Sequence, residues 1–296
     1  MSTPPLPLRV LKFGGTSVGS EDRIRTVARI VKDTQSDARP VVVVSAASGV
    51  TDALVLATTG AQPWPEVRAF VSRRYRVLAT SLLAPTAGAI YALDVEAVLS
   101  RLDSVFSHVG SDSALSKAAT DDILSAGERL SVPLIARYLE AEGVPARATD
   151  ATPLIRILTD GSVDHATTEH LIRSWACTLG PGVVPVITGY VASKASGATA
   201  TLGRGGSDYT AALFASALDA AWMERWTDVD GIYTADPRRH PEAERYERLT
   251  LAEAYRLNRT GGLGMHRDAL GPLVRAGIPL RIRSTKEPEK AGTAIV

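Results

Sequence analysis

A lysine followed by two glycines and two hydroxyls, Lys12-Phe13-Gly14-Gly15-Thr16-Ser17, is a set of residue types that can hold an anion. The cation supplies charge, and the bare backbone N–H groups of Gly14 and Gly15 can approach an oxyanion ahead of a helix N-terminus. On physical grounds this is a phosphate site. It is not a Walker loop, because the lysine precedes the turn and none follows a second glycine. A tight turn with a snorkelling lysine also explains the segment taken alone. Thr201-Leu202-Gly203-Arg204-Gly205-Gly206-Ser207-Asp208 is a second glycine-rich loop before a helical stretch, and it carries an arginine and an aspartate. Two such loops imply two anionic groups. Trp226-Thr227-Asp228-Val229-Asp230-Gly231-Ile232-Tyr233, running on to Asp236-Pro237-Arg238, gathers Tyr, Asp and Arg behind a turn signal, although alone it also reads as a hairpin-like loop. Ser125-Ala126-Gly127-Glu128-Arg129 opens a helix with an acid in its first turn, a placement that the helix dipole by itself explains.

These loops need elements to position them. Residues 8–13 form a short strand pattern, residues 21–32 a helix pattern, and Val41-Val42-Val43-Val44 a β-branched run suited to a strand covered on both faces. That run ends in Ser45-Ala46-Ala47-Ser48-Gly49-Val50-Thr51, a small polar loop. Residues 52–139 are mostly helical in period, with breaks at Pro63, Pro65, Pro85 and Gly110. Strand patterns return at residues 146–148, 183–188 and 220–227, and a helix is expected over 209–218. Repeated strand-helix units predict an α/β fold with a mostly parallel sheet, in which ligands sit beyond the carboxyl ends of the strands.

The 296 residues carry 33 Lys+Arg against 32 Asp+Glu, a formal charge of +1, with 45% apolar and 22% charged residues. That composition excludes disorder as the main state and supplies no concentrated basic face for nucleic acid. No apolar run reaches the roughly 18 residues that span a bilayer, and residues 1–8 lack a signal-peptide core. A cytoplasmic chain with a short flexible leader over residues 1–8 is therefore expected. The single cysteine, Cys177, is expected as small core filler, and no Cys/His cluster has metal-ligand spacing.

The segments Lys12-Phe13-Gly14-Gly15-Thr16-Ser17-Val18, Val44 to Thr51, Gly127-Glu128-Arg129-Leu130-Ser131, Thr201 to Ala211, Trp226 to Arg238 and Arg281-Ile282-Arg283-Ser284-Thr285 together resemble the aspartokinases, within the amino acid kinase superfamily. They occur in the family's order over nearly the whole chain. The resemblance implies a three-layer αβα sandwich, with an amino-acid-binding lobe over about residues 9–195 and a nucleotide-binding lobe over about 196–296. It implies ATP-dependent phosphorylation of the side-chain carboxylate of L-aspartate to 4-phospho-L-aspartate, with Mg²⁺ held mainly through the nucleotide phosphates, and a homodimer.

By the same resemblance, Lys12, Gly14, Gly15 and Asp208 serve the transfer. Glu128 pairs with the α-ammonium, Arg204 with the α-carboxylate, and Ser45 and Thr51 add hydrogen bonds. Thr16, Gly205, Gly206, Ser207, Thr227, Asp228, Tyr233 and Arg238 fall to the nucleotide. The chain departs from the family at Gly261-Gly262-Leu263-Gly264-Met265-His266-Arg267, where Leu263 stands for a phosphate-holding lysine and Arg267 for a proline. Arg267 or Arg238 is the expected compensating charge. The chain stops at Val296, before the ACT regulatory domains usual in the family, so no feedback inhibition is expected. Two other readings fit the same residues: a kinase of this fold acting on a related amino acid or aspartate derivative, and a ligand-binding homologue without turnover.

Overall fold

The computed structural model describes residues 6–108, 115–235 and 239–296. The chain opens on β1 (Leu8–Phe13), which runs into a single 3-10 turn at Gly15–Ser17, then α1 (Glu21–Thr34) and β2 (Arg39–Val44). A helical stretch follows: α2 (Val50–Thr58), α3 (Trp64–Leu82), α4 (Pro85–His108), α5 (Lys117–Leu124) and α6 (Ala126–Ala141). Its expected proline breaks are helix starts, since Pro63 caps α3, Pro65 lies in its first turn and Pro85 opens α4. A missing N–H costs nothing there. Gly110 lies outside the described residues, as do residues 1–5 of the expected leader, while Leu8 already belongs to β1.

The remainder runs β3 (Ala146–Thr149), β4 (Arg156–Ile157), α7 (His165–Ala176), β5 (Val184–Thr188), β6 (Val191–Lys194), β7 (Thr199–Thr201) and α8 (Gly206–Ala217). It closes with β8 (Trp222–Thr227), β9 (Arg248–Leu249), α9 (Leu251–Arg259), α10 (Leu270–Ala276), β10 (Leu280–Ser284) and β11 (Thr293–Ile295).

Among the described residues, an eight-stranded sheet runs in the order β3-β5-β2-β1-β8-β10-β11-β9, with β4, β6 and β7 forming a small second sheet. In the large sheet only β10 and β11 pair antiparallel. Period-two alternation explains the layers. Leu11, Phe13, Val42 and Val44 point into one core with α1, α3, α4 and α6. Val10, Val41, Val43 and Met223 point into a second core with α7, α8 and α10. This is an α/β fold with helices on both faces of a mostly parallel sheet. β1 sits at its centre, paired with β2 on one side and β8 on the other. No helix among the described residues is long and apolar enough to cross a membrane.

Two local expectations change. Cys177 is exposed, because α7 ends there and turns Thr168 and Ile172 to the core instead. The helix expected from residue 209 starts at Gly206, directly after Gly205 as N-cap. Ser207 and Asp208 therefore lie in its first turn rather than in a loop.

Candidate active site

Alternation along β1 puts Lys12 on the same face as Val10, toward α8. Its Nζ lies 2.7 Å from Asp208 Oδ1, and Asp208 Oδ2 lies 3.2 Å from Arg225 Nε on neighbouring β8. Side-chain exposures of 9%, 2% and 15% make this a nearly dry cluster of two cations around one carboxylate. Burial lowers the Lys12 pKa, and Asp208 opposes that only in part. Burial pushes Asp208 up, but the charges of Lys12 and Arg225 outweigh it and hold the carboxyl below its usual range.

Beside Lys12 the chain turns through Gly15–Ser17. The Gly14 N–H donates to Trp226 O at 3.2 Å, tying β1 to β8. It is therefore spent on the sheet and is not free for the anion contact expected of it. The Gly15 and Thr16 N–H groups have no backbone partner among the described residues. Ser17 Oγ meets Thr285 Oγ1 at 3.2 Å and Trp226 O at 3.4 Å, which anchors the turn from below.

One wall rises from β2 and α6. Ser45 N–H donates to Phe13 O, continuing the β1–β2 ladder, and Thr51 lies in the first turn of α2. Glu128, in the first turn of α6, is buried, and its Oε2 has no hydrogen-bond partner among the described residues. Burial raises its pKa to about 7, against hydrogen bonds from the Ala46 and Glu128 backbone and the charges of Lys12 and Arg129. Residue 127 must be glycine, because a Cβ there would stand 2.4 Å from Ala46 Cβ. Tyr75 locks the contact: its hydroxyl donates to Gly127 O at 2.7 Å and accepts from Ala47 N–H at 3.1 Å, with Ser131 Oγ at 2.9 Å. Arg129 pairs with Asp122 and Asp150 and reaches Thr152 and Thr199, fastening the β6–β7 hairpin to α5 and α6. At the hairpin's exit Arg204 is exposed, with no hydrogen-bond or ion-pair partner among the described residues.

The other wall is built from turns. A cavity of about 520 Å³ is lined by Arg225, Thr227, Tyr233, Leu263 and Gly264, among others. Tyr233 donates to Asp230 Oδ1 at 2.7 Å, and Thr227 donates to Asp228 Oδ1 at 3.2 Å. Gly205 adopts φ +76°, and a Cβ there would come 2.9 Å from His266 N, so the 261–267 segment closes directly onto the α8 N-terminus. Leu263 is 5% exposed in the apolar core, whereas the Arg267 side chain is 85% exposed beside Asp268. Arg267 is thus turned to solvent and does not supply the expected compensating charge; Arg238 lies outside the described residues.

The structure brings Lys12, Gly15, Thr16, Ser45, Glu128, Ser207 and Asp208 to the carboxyl ends of the central strands, and Thr227, Asp228 and Tyr233 to the adjoining wall. Sequence reasoning missed Arg225 and Tyr75. The signal for Arg225 was an ionisable pair, Glu224-Arg225, in the middle of a central strand. The signal for Tyr75 was its helical spacing from the buried Val67, Val71 and Leu78, which its basic neighbours disguised.

The amino acid kinase family model matches residues 7–284. The chain belongs to the amino acid kinase family. Within it, this chain is 35% identical over 294 residues to lysine-sensitive aspartokinase 3 of Escherichia coli, covering 97% of this chain and 63% of that protein. It is 32% identical to an aspartokinase of Chlamydia trachomatis, over 99% of this chain and 64% of that one. The crystal structure of E. coli aspartokinase III in complex with aspartate and ADP aligns with a TM-score of 0.88 at 34% identity, covering 97% of this chain and 64% of that one. The chain thus spans just under two thirds of these relatives.

Proposed function

We propose that this amino acid kinase phosphorylates the side-chain carboxylate of L-aspartate with ATP, giving 4-phospho-L-aspartate and ADP. The observation that carries the reading is the Lys12–Asp208 ion pair, buried at the end of β1, together with a Glu128 oxygen and Gly15 and Thr16 N–H groups that have no partner among the described residues. Similarity to a kinase crystallised with aspartate and ADP supports it. Residues 9–195 serve as the amino-acid lobe and 196–296 as the nucleotide lobe, with the transfer at the β1–β8 seam where the two halves of the sheet meet.

Glu128 receives the α-ammonium, Arg204 grips the α-carboxylate, and Ser45 and Thr51 orient the side chain. Thr16, Gly205, Gly206 and Ser207 face the phosphates from two helix starts, and Thr227, Asp228, Tyr233 and Arg238 flank the rest of the nucleotide. One carboxylate oxygen attacks the γ-phosphorus, the bond to the β–γ bridging oxygen breaks, and ADP leaves. A carboxylate with a pKa of about 4 is already ionised, so no proton moves and no general base is required. Catalysis consists of alignment and charge neutralisation by Lys12, held in place by Asp208. No group of three or more His, Cys, Asp or Glu among the described residues could hold a metal ion. Mg²⁺ would be held mainly through the ATP phosphates, where it would offset their charge.

The test is ADP release from MgATP with hydroxylamine present to trap an acyl phosphate. A hydroxamate formed with L-aspartate is the expected result. ADP release with a related amino acid and none with aspartate would move the assignment to another acceptor, and silence with all would overturn it.

A further inference from the structure

Arg225 has no part in the reaction just described, yet it is one of two cations on a single buried carboxylate. Lys12 and Arg225 against Asp208 leave one positive charge in excess in a nearly dry cluster. Such an excess is costly unless an anion arrives to share it. Glu128, whose pKa burial raises to about 7, offsets it only in part.

The guanidinium is also fixed where an anion can reach it. Its two terminal nitrogens donate to Leu263 O at 3.4 Å and Gly264 O at 3.1 Å. A guanidinium carries five N–H donors, so each terminal nitrogen keeps one more for a ligand. The same side chain lines the cavity of about 520 Å³ shared with Thr227, Tyr233 and Gly264. Leu263 gives this turn a carbonyl and an apolar side chain but no charge, and Arg267 faces solvent.

We propose that Arg225 binds the terminal phosphates of the nucleotide, delivering from β8 the charge that Leu263 does not deliver from the turn. Lys12 is then left to the group in transfer. This rests on the kinase reading above, and deepens it by naming a phosphate-binding side chain outside the two glycine loops.

Calorimetric titration of the wild-type chain, Arg225→Met and Arg225→Lys with MgATP and with adenosine tests it. Arg225→Met is expected to weaken MgATP by about tenfold or more, as loss of a charge-assisted contact does, while adenosine binding stays within about twofold. Arg225→Lys should keep most of the MgATP affinity. The KM for ATP should rise more than that for aspartate. Unchanged MgATP affinity, or equal loss for MgATP and adenosine, would overturn the assignment, the second because it reveals only a collapsed turn. A wild-type chain that binds neither ligand removes the kinase reading and this one with it. Phosphate-dependent loss without any hydroxamate from aspartate would uphold Arg225 and remove only the acceptor.

Discussion

The two walls of the site are built on opposite plans. The wall around Glu128 is buried, and hydrogen bonds brace it from behind: Tyr75 ties the loop after β2 to α6, and Arg129 ties α6 to the β6–β7 hairpin. The wall around Tyr233 consists of turns, to which Arg225 reaches from β8. A small, charged amino acid offers few atoms, so its few contacts must be held rigidly by surroundings that cannot give. A nucleotide offers three charged phosphates, and charge over a longer range tolerates a softer frame. The difference teaches that the first wall depends on one buried charge, Glu128, held by a brace behind it, and the second on charge reaching across its turns.

The largest effect tests the seam both walls share. Lys12→Ala is expected to lower kcat by about a hundredfold or more, the usual cost of removing a transition-state donor from a dry site, read as ADP release at saturating substrates. Next, Glu128→Gln should raise the KM for aspartate by about tenfold to a hundredfold through loss of a charge-assisted contact, with the KM for ATP little changed. If both KM values rise together, the walls are not independent.

Acidity sharpens the same point. Burial raises the Glu128 pKa to about 7, and in the proposed reading its ionised form is the one that pairs with the α-ammonium. As pH rises through that value the fraction able to bind rises, so kcat/KM for aspartate should climb through pH 7 and level off above it. Arg129→Lys keeps the nearby charge and should keep the profile, whereas Glu128→Gln should flatten it.

Tyr75→Phe comes lower in the order. It leaves Gly127 O and the Ala47 N–H without their partner, and is expected to cost about 1–3 kcal/mol in denaturant unfolding, with a rise in the KM for aspartate and not for ATP. An equal rise for both would show that the brace serves the whole site. Smallest of all, Arg267→Ala should leave the KM for ATP within about twofold, as for an exposed charge with one weak surface pair.

Much of this was legible in the chain. The first strand and its glycine turn stand out because a short apolar-rich run that carries Lys12 near its end and closes on paired glycines is a local signal. The β-branched run of β2 declared itself buried on both faces, and α6 announced Glu128 in its first turn. Other features were legible only in part. The helix expected from residue 209 begins three residues earlier, because Gly205 takes the positive φ that lets it cap α8, close against His266 from a distant segment. Cys177 was expected inside from its residue type, whereas the face it occupies depends on where α7 stops. Tyr75 stands among arginines, and Arg225 lies in a strand whose acidic neighbour Glu224 makes the pair look self-contained.

By itself the sequence determined the longer elements and which loops carry cations, glycines and carboxylates, since period and backbone preference act over a few residues, whereas the short strands β4, β6, β7, β9 and β11 had no such local signal. It also determined that Lys12 shares a face with Val10, because alternation in a strand is strict. Which loops meet was decided by the tertiary structure alone. Gly14 N–H could be committed to Trp226 only once β8 had paired beside β1, and Arg225 could reach both Asp208 and Gly264 only across that pairing. Pairing between strands so distant in the chain is chosen by the whole packed sheet, through the burial it completes, and no short window of residues contains that choice.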